Sequence, residues 1–341
     1  MTLPKVLQWL KELEQSGCRE NTTPLSNKGL ENAVSVSINA LHSEALQTAL
    51  SEEGAPFSRM TFVAAGTVVT APLEWVALQL ARGGEAILKR PGDQLEIWEQ
   101  WALLAKDLPL QVTTNKSCIH DAPLVVAMGS DRTIQDIASS LSPSTRFLGF
   151  GNKFSVAWIE ETPQAQRTTD YSSGWEGLAA DLALHDGRGC MSPCIIFTPL
   201  PLEIALNALE QAMIHAQEQW PRGQVYGYEA SMIRSRKALT RVVGSHRRGE
   251  GFSIHALTHE HVTPMSLPRT PTIVSVPNVE CAVNTVSEWG HQLSTVGTDN
   301  SDHLAQWKTI GASRVCPLGE MQHPPLLRHH DGVDWIRATL H

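Results

Sequence analysis

Between residues 60 and 150, short apolar runs and segments of helical period take turns, and this alternation restricts the fold more than any other feature of the chain. Residues 60–65 read as a buried strand closed by Gly66. Residues 73–82 keep helical spacing up to the stop Gly83-Gly84, and residues 85–89 form the next strand before a Pro91-Gly92 turn. The unit repeats with a helix over 97–105, a short strand at 110–112 and the apolar run 123–128. Gly129-Ser130 then opens a helix over 133–141, followed by a strand at 146–149. Strands joined through helices pair in parallel, so the first half reads as an open, doubly wound α/β domain.

A helix over residues 3–15, with Val6, Leu7, Leu10 and Leu13 at helical spacing, and a helical pattern over 30–50 precede this sheet. A strand and a polar, Pro-containing stretch at 152–166 mark a domain boundary. Beyond it, residues 173–184 are helical, 194–198 form a strand and 202–220 a long amphipathic helix. Residues 234–261 mix basic residues and histidines with little periodicity. Strands at 272–276 and 313–316 close a second α/β domain. The expected division is 1–158 for the N-terminal helices and first sheet, 159–312 for the second domain, and 313–341 for a C-terminal segment packing back on the first.

The 341 residues carry a formal net charge of −8, which gives a nucleic-acid partner no general attraction. Cys18, Cys118, Cys190, Cys194, Cys281 and Cys316 are scattered rather than framed in pairs, as suits thiols in a reducing compartment. The amphipathic N-terminus carries charges among its apolar positions, unlike a signal peptide, and no apolar run reaches the ~20 residues of a membrane span. A cytoplasmic protein is the expectation. His255 and His259 have ligand spacing, but Thr258 and Thr263-Pro264 disfavour a helix and no cysteine pair completes a tetrahedral set. No metal site is expected.

Three segments carry chemistry. In Met128-Gly129-Ser130-Asp131-Arg132-Thr133 a strand feeds a helix, whose unpaired N–H groups and positive dipole end suit a phosphate, although serine is also a common N-cap. The strand–helix–strand unit from Val63 ends on Lys89-Arg90, two cations that could meet a 2′-phosphate or simply face water. In His185-Asp186-Gly187-Arg188-Gly189-Cys190-Met191-Ser192-Pro193-Cys194 a cysteine follows a helix in a glycine-rich loop. Such a loop exposes sulfur, the following N–H groups can receive an oxyanion, and Arg188 would favour thiolate. The same loop equally allows a small buried cysteine beside Cys194.

Together these segments resemble the aldehyde dehydrogenase superfamily, and most closely its bacterial acyl-CoA reductase branch, the LuxC type known from bioluminescence. The resemblance runs in order over roughly residues 60 to 335. Ala65-Gly66-Thr67-Val68 through Lys89 looks like the first cofactor-binding unit, and Gly129-Ser130, with Thr133 in the next turn, like the helix start facing the pyrophosphate. Gly149-Phe150-Gly151-Asn152-Lys153-Phe154-Ser155 is similar to the stretch leaving the dinucleotide domain. Residues 311–322, then Pro324-Pro325 and His330-Asp331-Gly332, resemble the branch's C-terminal signature.

The resemblance implies a Rossmann-type cofactor domain plus a second α/β catalytic domain, with Cys190 as nucleophile. It implies NADPH as cofactor, NADH being the alternative, held by Gly66, Lys89, Arg90, Gly129, Ser130 and Thr133. The substrate is then acyl-CoA or a carrier-bound acyl thioester, reduced to an aldehyde, in a homo-oligomer or beside a partner subunit. Two departures bear on this. Gly149 stands where hydrolytic relatives carry the water-activating glutamate, which favours reduction over hydrolysis. Thr67, or Gly66 if the alignment slips by one, replaces the asparagine that helps to bind the oxyanion. The alternatives are a non-catalytic subunit of the same fold and an acyl-phosphate reductase.

Overall fold

The structure, a computed structural model, describes residues 2–16, 22–92, 96–161 and 174–341. Cys18, Ser173 and the polar stretch following Glu161 lie outside the described residues. The chain groups into two compact units, one of residues 1–23, 30–152 and 324–341, the other of residues 24–29 and 153–323.

The first unit begins with α1 (Leu3–Ser16), which buries Val6, Trp9, Leu10 and Leu13. The single helical pattern expected over 30–50 is two helices, α2 (Asn27–Asn39) and α3 (Ser43–Leu50). They separate because His42 takes an extended N-cap conformation and its ring Nδ1 accepts the Ala45 N–H at 3.3 Å. Then come β1 (Arg59–Val63), α4 (Leu73–Ala81), β2 (Glu85–Lys89), α5 (Ile97–Leu104), β3 (Leu110–Thr113), β4 (Leu124–Met128), α6 (Asp131–Ser140) and β5 (Arg146–Phe150). The strands pair in parallel in the order β3-β2-β1-β4-β5. The helix α4 is buried on every face and ends where Gly83 takes φ +85°, a conformation open to glycine.

The C-terminal stretch from Pro324 belongs to this unit, with the Trp335 ring 4.5 Å from that of Trp75. Arg328 pairs with Glu74 at 2.7 Å. Burial opposes the charge on Glu74, but Arg328 and His330 outweigh it and hold the carboxyl down at about 2.

The second unit contains β6 (Phe154–Trp158), α7 (Gly174–Ala183), β7 (Pro193–Thr198), α8 (Leu202–Gln219), α9 (Gly227–Val243), β8 (Gly244–Gly249), β9 (Phe252–Leu257), β10 (Thr272–Ser275), α10 (Val279–Val286), β11 (Leu293–Thr298), α11 (Leu304–Thr309) and β12 (Arg314–Pro317). Its seven-stranded sheet runs β12-β11-β6-β7-β10-β9-β8, with only β8 antiparallel to its neighbour. Ile196, Leu206, Leu209 and Met213 pack on one face of the sheet. Phe197, Val274, Val296 and Trp307 pack on the other.

Three expectations need correction. The wholly buried β6 pairs with β7 and β11, so the boundary falls at residue 152 rather than 158. The strand at 314–317 stays in the second sheet, and only residues from 324 group with the first unit. The aperiodic region 234–261 is most of a helix followed by an antiparallel hairpin, and β11 has no counterpart in the sequence reading. β11 is fully buried yet reads LSTVGT, because its polar groups find partners. The Thr295 N–H, for example, donates to Ser155 Oγ at 3.0 Å.

Candidate active-site elements

In the first unit the residues expected to hold a cofactor gather at one end of the sheet. Val63 closes β1, Lys89 closes β2 and Met128 closes β4, and these three strands are neighbours in register. The strand order reverses at β1, and the crevice beyond the carboxyl ends of such strands is where doubly wound sheets take dinucleotides. Gly66 lies in the loop after β1 with φ +82°, a conformation that favours glycine. Thr67 beside it is exposed.

Gly129 and Ser130 form the junction from β4 to α6. Ser130 is the N-cap, with its Oγ 3.2 Å from the Thr133 N–H and 2.8 Å from Thr133 Oγ1. Both hydroxyls therefore serve the cap, and backbone N–H groups and the helix dipole remain as what the turn offers an anion. Asp131 in the same turn accepts the Asn152 N–H at 2.7 Å. A Cβ at Gly151 would lie 2.1 Å from its Oδ1, so a side chain there would displace this carboxylate.

Two further positions are settled locally. Arg90 turns onto Glu99 at 3.0 Å, so its charge is countered by a carboxylate. A side chain at Gly149 would meet Ile134 at 2.6 Å and the Phe147 ring at 2.8 Å. A glutamate at that position would therefore force repacking.

In the second unit Cys190 lies in a four-residue turn closed by the Ser192 N–H donating to the Gly189 carbonyl at 3.0 Å. Cys190 and Met191 occupy its two corners, and the thiol is half-buried. The turn is pinned from three sides. Ser155 Oγ donates to the Cys190 carbonyl at 2.6 Å. Ser192 Oγ reaches the Asp181 carbonyl at 3.3 Å, and Gln322 Nε2 donates to Ser192 Oγ at 2.6 Å. The Asp181 carboxylate accepts the N–H groups of Gly319, Met321 and Gln322, which ties the C-terminal signature segment to the same place. Burial pushes this carboxyl up to about 7 against the pull of those three N–H groups.

Before the turn, His185, Asp186 and Gly187 all take positive φ, at 55°, 55° and 71°. Two non-glycine residues in that region are held there by their surroundings. Asp186 is buried and accepts from Arg269 Nε at 2.8 Å, Arg188 Nη1 at 3.2 Å and the Gly223 N–H at 3.0 Å. Arg188 also donates Nε to Glu229 at 2.7 Å and Nη2 to the Gln224 carbonyl at 2.6 Å. Burial opposes its charge, but Glu229 and Asp186 hold the guanidinium charged more firmly than in water. The reading of Arg188 as a cation free to stabilise the Cys190 thiolate is corrected accordingly, because its charge is spent on two carboxylates.

Three other cysteines are held towards the thiol form. Burial pushes the Cys194 thiol up to about 11 and the Cys316 thiol to about 12, and Cys118 also moves up. His255 is a buried residue of β9 whose ring bonds Thr240 at 2.8 Å and Ser253 at 3.1 Å, so it is a satisfied core histidine. No cluster with metal-ligand geometry occurs among the described residues, and no helix is long and apolar enough to cross a membrane. The sequence reading missed Asp181, Asp186, Glu229, Arg269 and Gln322. Asp181 and Glu229 lie inside helices, Arg269 and Gln322 are far along the chain from Cys190, and Asp186, although four residues before Cys190, meets its partners only through the fold.

Comparison with solved structures defines the fold. The chain is similar to aldehyde dehydrogenase 21 from Physcomitrella patens, with 13% identity, a TM-score of 0.72 and coverage of 99% of this chain and 83% of that one. A γ-glutamyl-γ-aminobutyraldehyde dehydrogenase from Burkholderia cenocepacia gives 13%, 0.71, 93% and 75% for the same quantities. An NAD-dependent benzaldehyde dehydrogenase from Corynebacterium glutamicum gives 11%, 0.70, 94% and 82%. The fold is therefore that of the aldehyde dehydrogenases. Within it, the acyl-CoA reductase (LuxC) family profile matches residues 109–338, and the chain belongs to that family. No curated protein matches the chain in sequence.

Proposed function

We propose that the chain reduces an acyl thioester to an aldehyde, with Cys190 as the nucleophile and a nicotinamide nucleotide as the reductant. The observation that carries this reading is Cys190 at the corner of a turn anchored by Ser155, Asp181 and Gln322, in a chain of the acyl-CoA reductase family.

The Cys190 thiolate attacks the thioester carbonyl, its C–S bond forms, and the carrier sulfur departs as a thiolate. The Cys190 and Met191 peptide N–H groups at the turn corners are the donors proposed for the oxyanion. The nicotinamide, when bound, supplies the hydride that reduces the thioacyl carbon. Cys190 then leaves again as thiolate and the aldehyde is released. With Gly149 in place of a water-activating acid, the thioacyl group is kept for reduction. Gly66, Gly129, Ser130 and Thr133 are proposed to form the cradle for the dinucleotide. Lys89 is proposed to meet the 2′-phosphate of NADPH, with NADH the alternative if it does not.

The test is direct. Cys190→Ala should lower acyl-CoA reduction by NADPH by at least ~10³-fold, as expected when a nucleophile is removed. Iodoacetamide at neutral pH should label Cys190 ahead of Cys118 and Cys281. Retention of activity in Cys190→Ala contradicts the reading, and turnover with acyl phosphates alone overturns the thioester assignment.

A further inference from the structure

Charge is unevenly matched at the end of the second sheet where the Cys190 turn precedes β7. Two buried carboxylates there, Asp186 and Glu229, hold two buried guanidiniums. Arg269 donates to Asp186 at 2.8 Å, and Arg188 donates to Asp186 at 3.2 Å and to Glu229 at 2.7 Å. Main-chain N–H groups fill the acceptors further, from Gly223 to Asp186 at 3.0 Å and from Tyr226 to Glu229 at 2.8 Å. These four side chains are neutral in sum.

Two more arginines adjoin them, Arg222 half-buried and Arg248 exposed. Gln217 ties both to the same core. Its Oε1 accepts the Arg222 N–H at 3.0 Å and Arg269 Nη1 at 2.9 Å. A Cβ on Gly251, in the turn of the β8–β9 hairpin, would lie 2.1 Å from the same oxygen. Arg248 pairs with Ser253 across that hairpin, and the Ser253 N–H donates to the Arg269 carbonyl at 3.1 Å. Burial lowers the ionisation of Arg222, Asp186 opposes this, and Arg188 and Arg248 add to it, so the like charges feel one another. Among the described residues neither Arg222 nor Arg248 forms an ion pair, not even with Glu250, two residues beyond Arg248. Cations gathered in this way are stabilised by an anion from outside.

The register of the sheet says which anion fits. Thr272 of β10 pairs with Ile195 of β7 and with His255 of β9, and His255 pairs with His246 of β8. Two residues further towards this end of the sheet, Arg248 is level with Pro193, where β7 begins. Three strand spacings put β8 about 14 Å from β7. The pantetheine arm of a CoA thioester, from sulfur to the first phosphorus, is as long as about four extended residues, about 14 Å. Beyond it lies a pyrophosphate, whose two negative charges match two guanidiniums.

We infer that Arg222 and Arg248 bind the pyrophosphate of the CoA thioester whose acyl group passes to Cys190. The inference rests on the reading of Cys190 as the nucleophile. The experiment presents one acyl chain as the CoA thioester and as the pantetheine thioester, which lacks every phosphate. It uses wild type, Arg222→Gln/Arg248→Gln and, as a control, Arg247→Gln, whose arginine is paired with Glu203 of α8.

The double variant should raise KM for acyl-CoA by ~10-fold or more with kcat within ~2-fold, as the loss of charge-assisted hydrogen bonds implies. Its KM values for acyl-pantetheine and NADPH should stay within ~2-fold, and so should all three in Arg247→Gln. Higher salt should weaken acyl-CoA binding further in wild type than in the double variant. An unchanged KM for acyl-CoA overturns the inference, as does a parallel loss with both thioesters. A rise in KM for NADPH in place of acyl-CoA overturns it too, because the pair then serves the nicotinamide nucleotide, and an equal rise in Arg247→Gln reduces it to general charge. Failure of Cys190 is read separately, from CoA binding to Cys190→Ala by calorimetry with NADP+ saturating. The two Arg→Gln changes should weaken that binding by ~10-fold or more whether or not Cys190 is the nucleophile, and equal binding overturns the site.

Discussion

α4 and α9 show opposite ways of placing a helix. α4 buries Leu73, Trp75, Val76, Leu78 and Leu80 around its whole circumference, and apolar transfer holds it. α9 presents Glu229, Arg236 and Thr240 inward and its apolar residues outward, and buried charge pairs hold its first turn. The difference teaches where stability is fragile. Trimming an apolar side chain of α4 leaves a cavity, whereas removing the carboxylate of Asp186 or Glu229 leaves a buried charge uncompensated.

The largest expected effect follows from that contrast. Asp186→Ala leaves Arg269 and part of Arg188 without their anion and relaxes the left-handed run before Cys190. It should destabilise the protein by ~3–5 kcal/mol in urea titration. Leu78→Ala in α4 should cost ~2–5 kcal/mol, at the lower end if neighbours collapse into the space. A larger loss from Leu78→Ala than from Asp186→Ala would reverse the comparison.

Acid separates the two units next. Burial, then His323, pushes His185 down to about 4, and burial, then Arg236, does the same for His255. Unfolded imidazoles take up protons near 6.5, so each folded histidine costs stability as the pH falls from about 6.5 towards 4, by at most ~1.4 kcal/mol per pH unit. Asp181 works the other way, because its raised carboxyl takes up a proton in the folded state first, and it offsets one of the two. In the first unit, the stability held by Glu74 is complete above its ordinary value of 4.5 and is lost only as the pH falls towards about 2. Hydrogen exchange on stepwise acidification should therefore release amides of β7 and β9 before those of β1 and β4. Simultaneous release would contradict this ordering.

The same contrast explains what could be read from the sequence. The strands and helices of the first unit are visible because the hydrophobic pattern of 60–150 matches its parallel sheet, as does the Gly129-Ser130 junction. Cys190 and its loop were legible from the glycines and the break between helix and strand. The support of that loop was not. Hydrophobic periodicity cannot report a helix whose buried face is Glu229, Arg236 and Thr240, nor a strand such as LSTVGT whose polar groups are satisfied only by distant partners. Arg188 was misassigned for the same reason. Its proximity to Cys190 in sequence was plain, but the two carboxylates that claim it were not.

The central claim is that Cys190 carries the acyl group. Wild-type protein incubated with acyl-CoA and no nicotinamide should accumulate one acyl adduct, detected by intact mass and mapped by digestion to the peptide containing Cys190. Addition of NADPH should discharge the adduct as aldehyde rather than acid. An adduct on another residue, or turnover by wild type with no adduct formed on Cys190, would contradict the account.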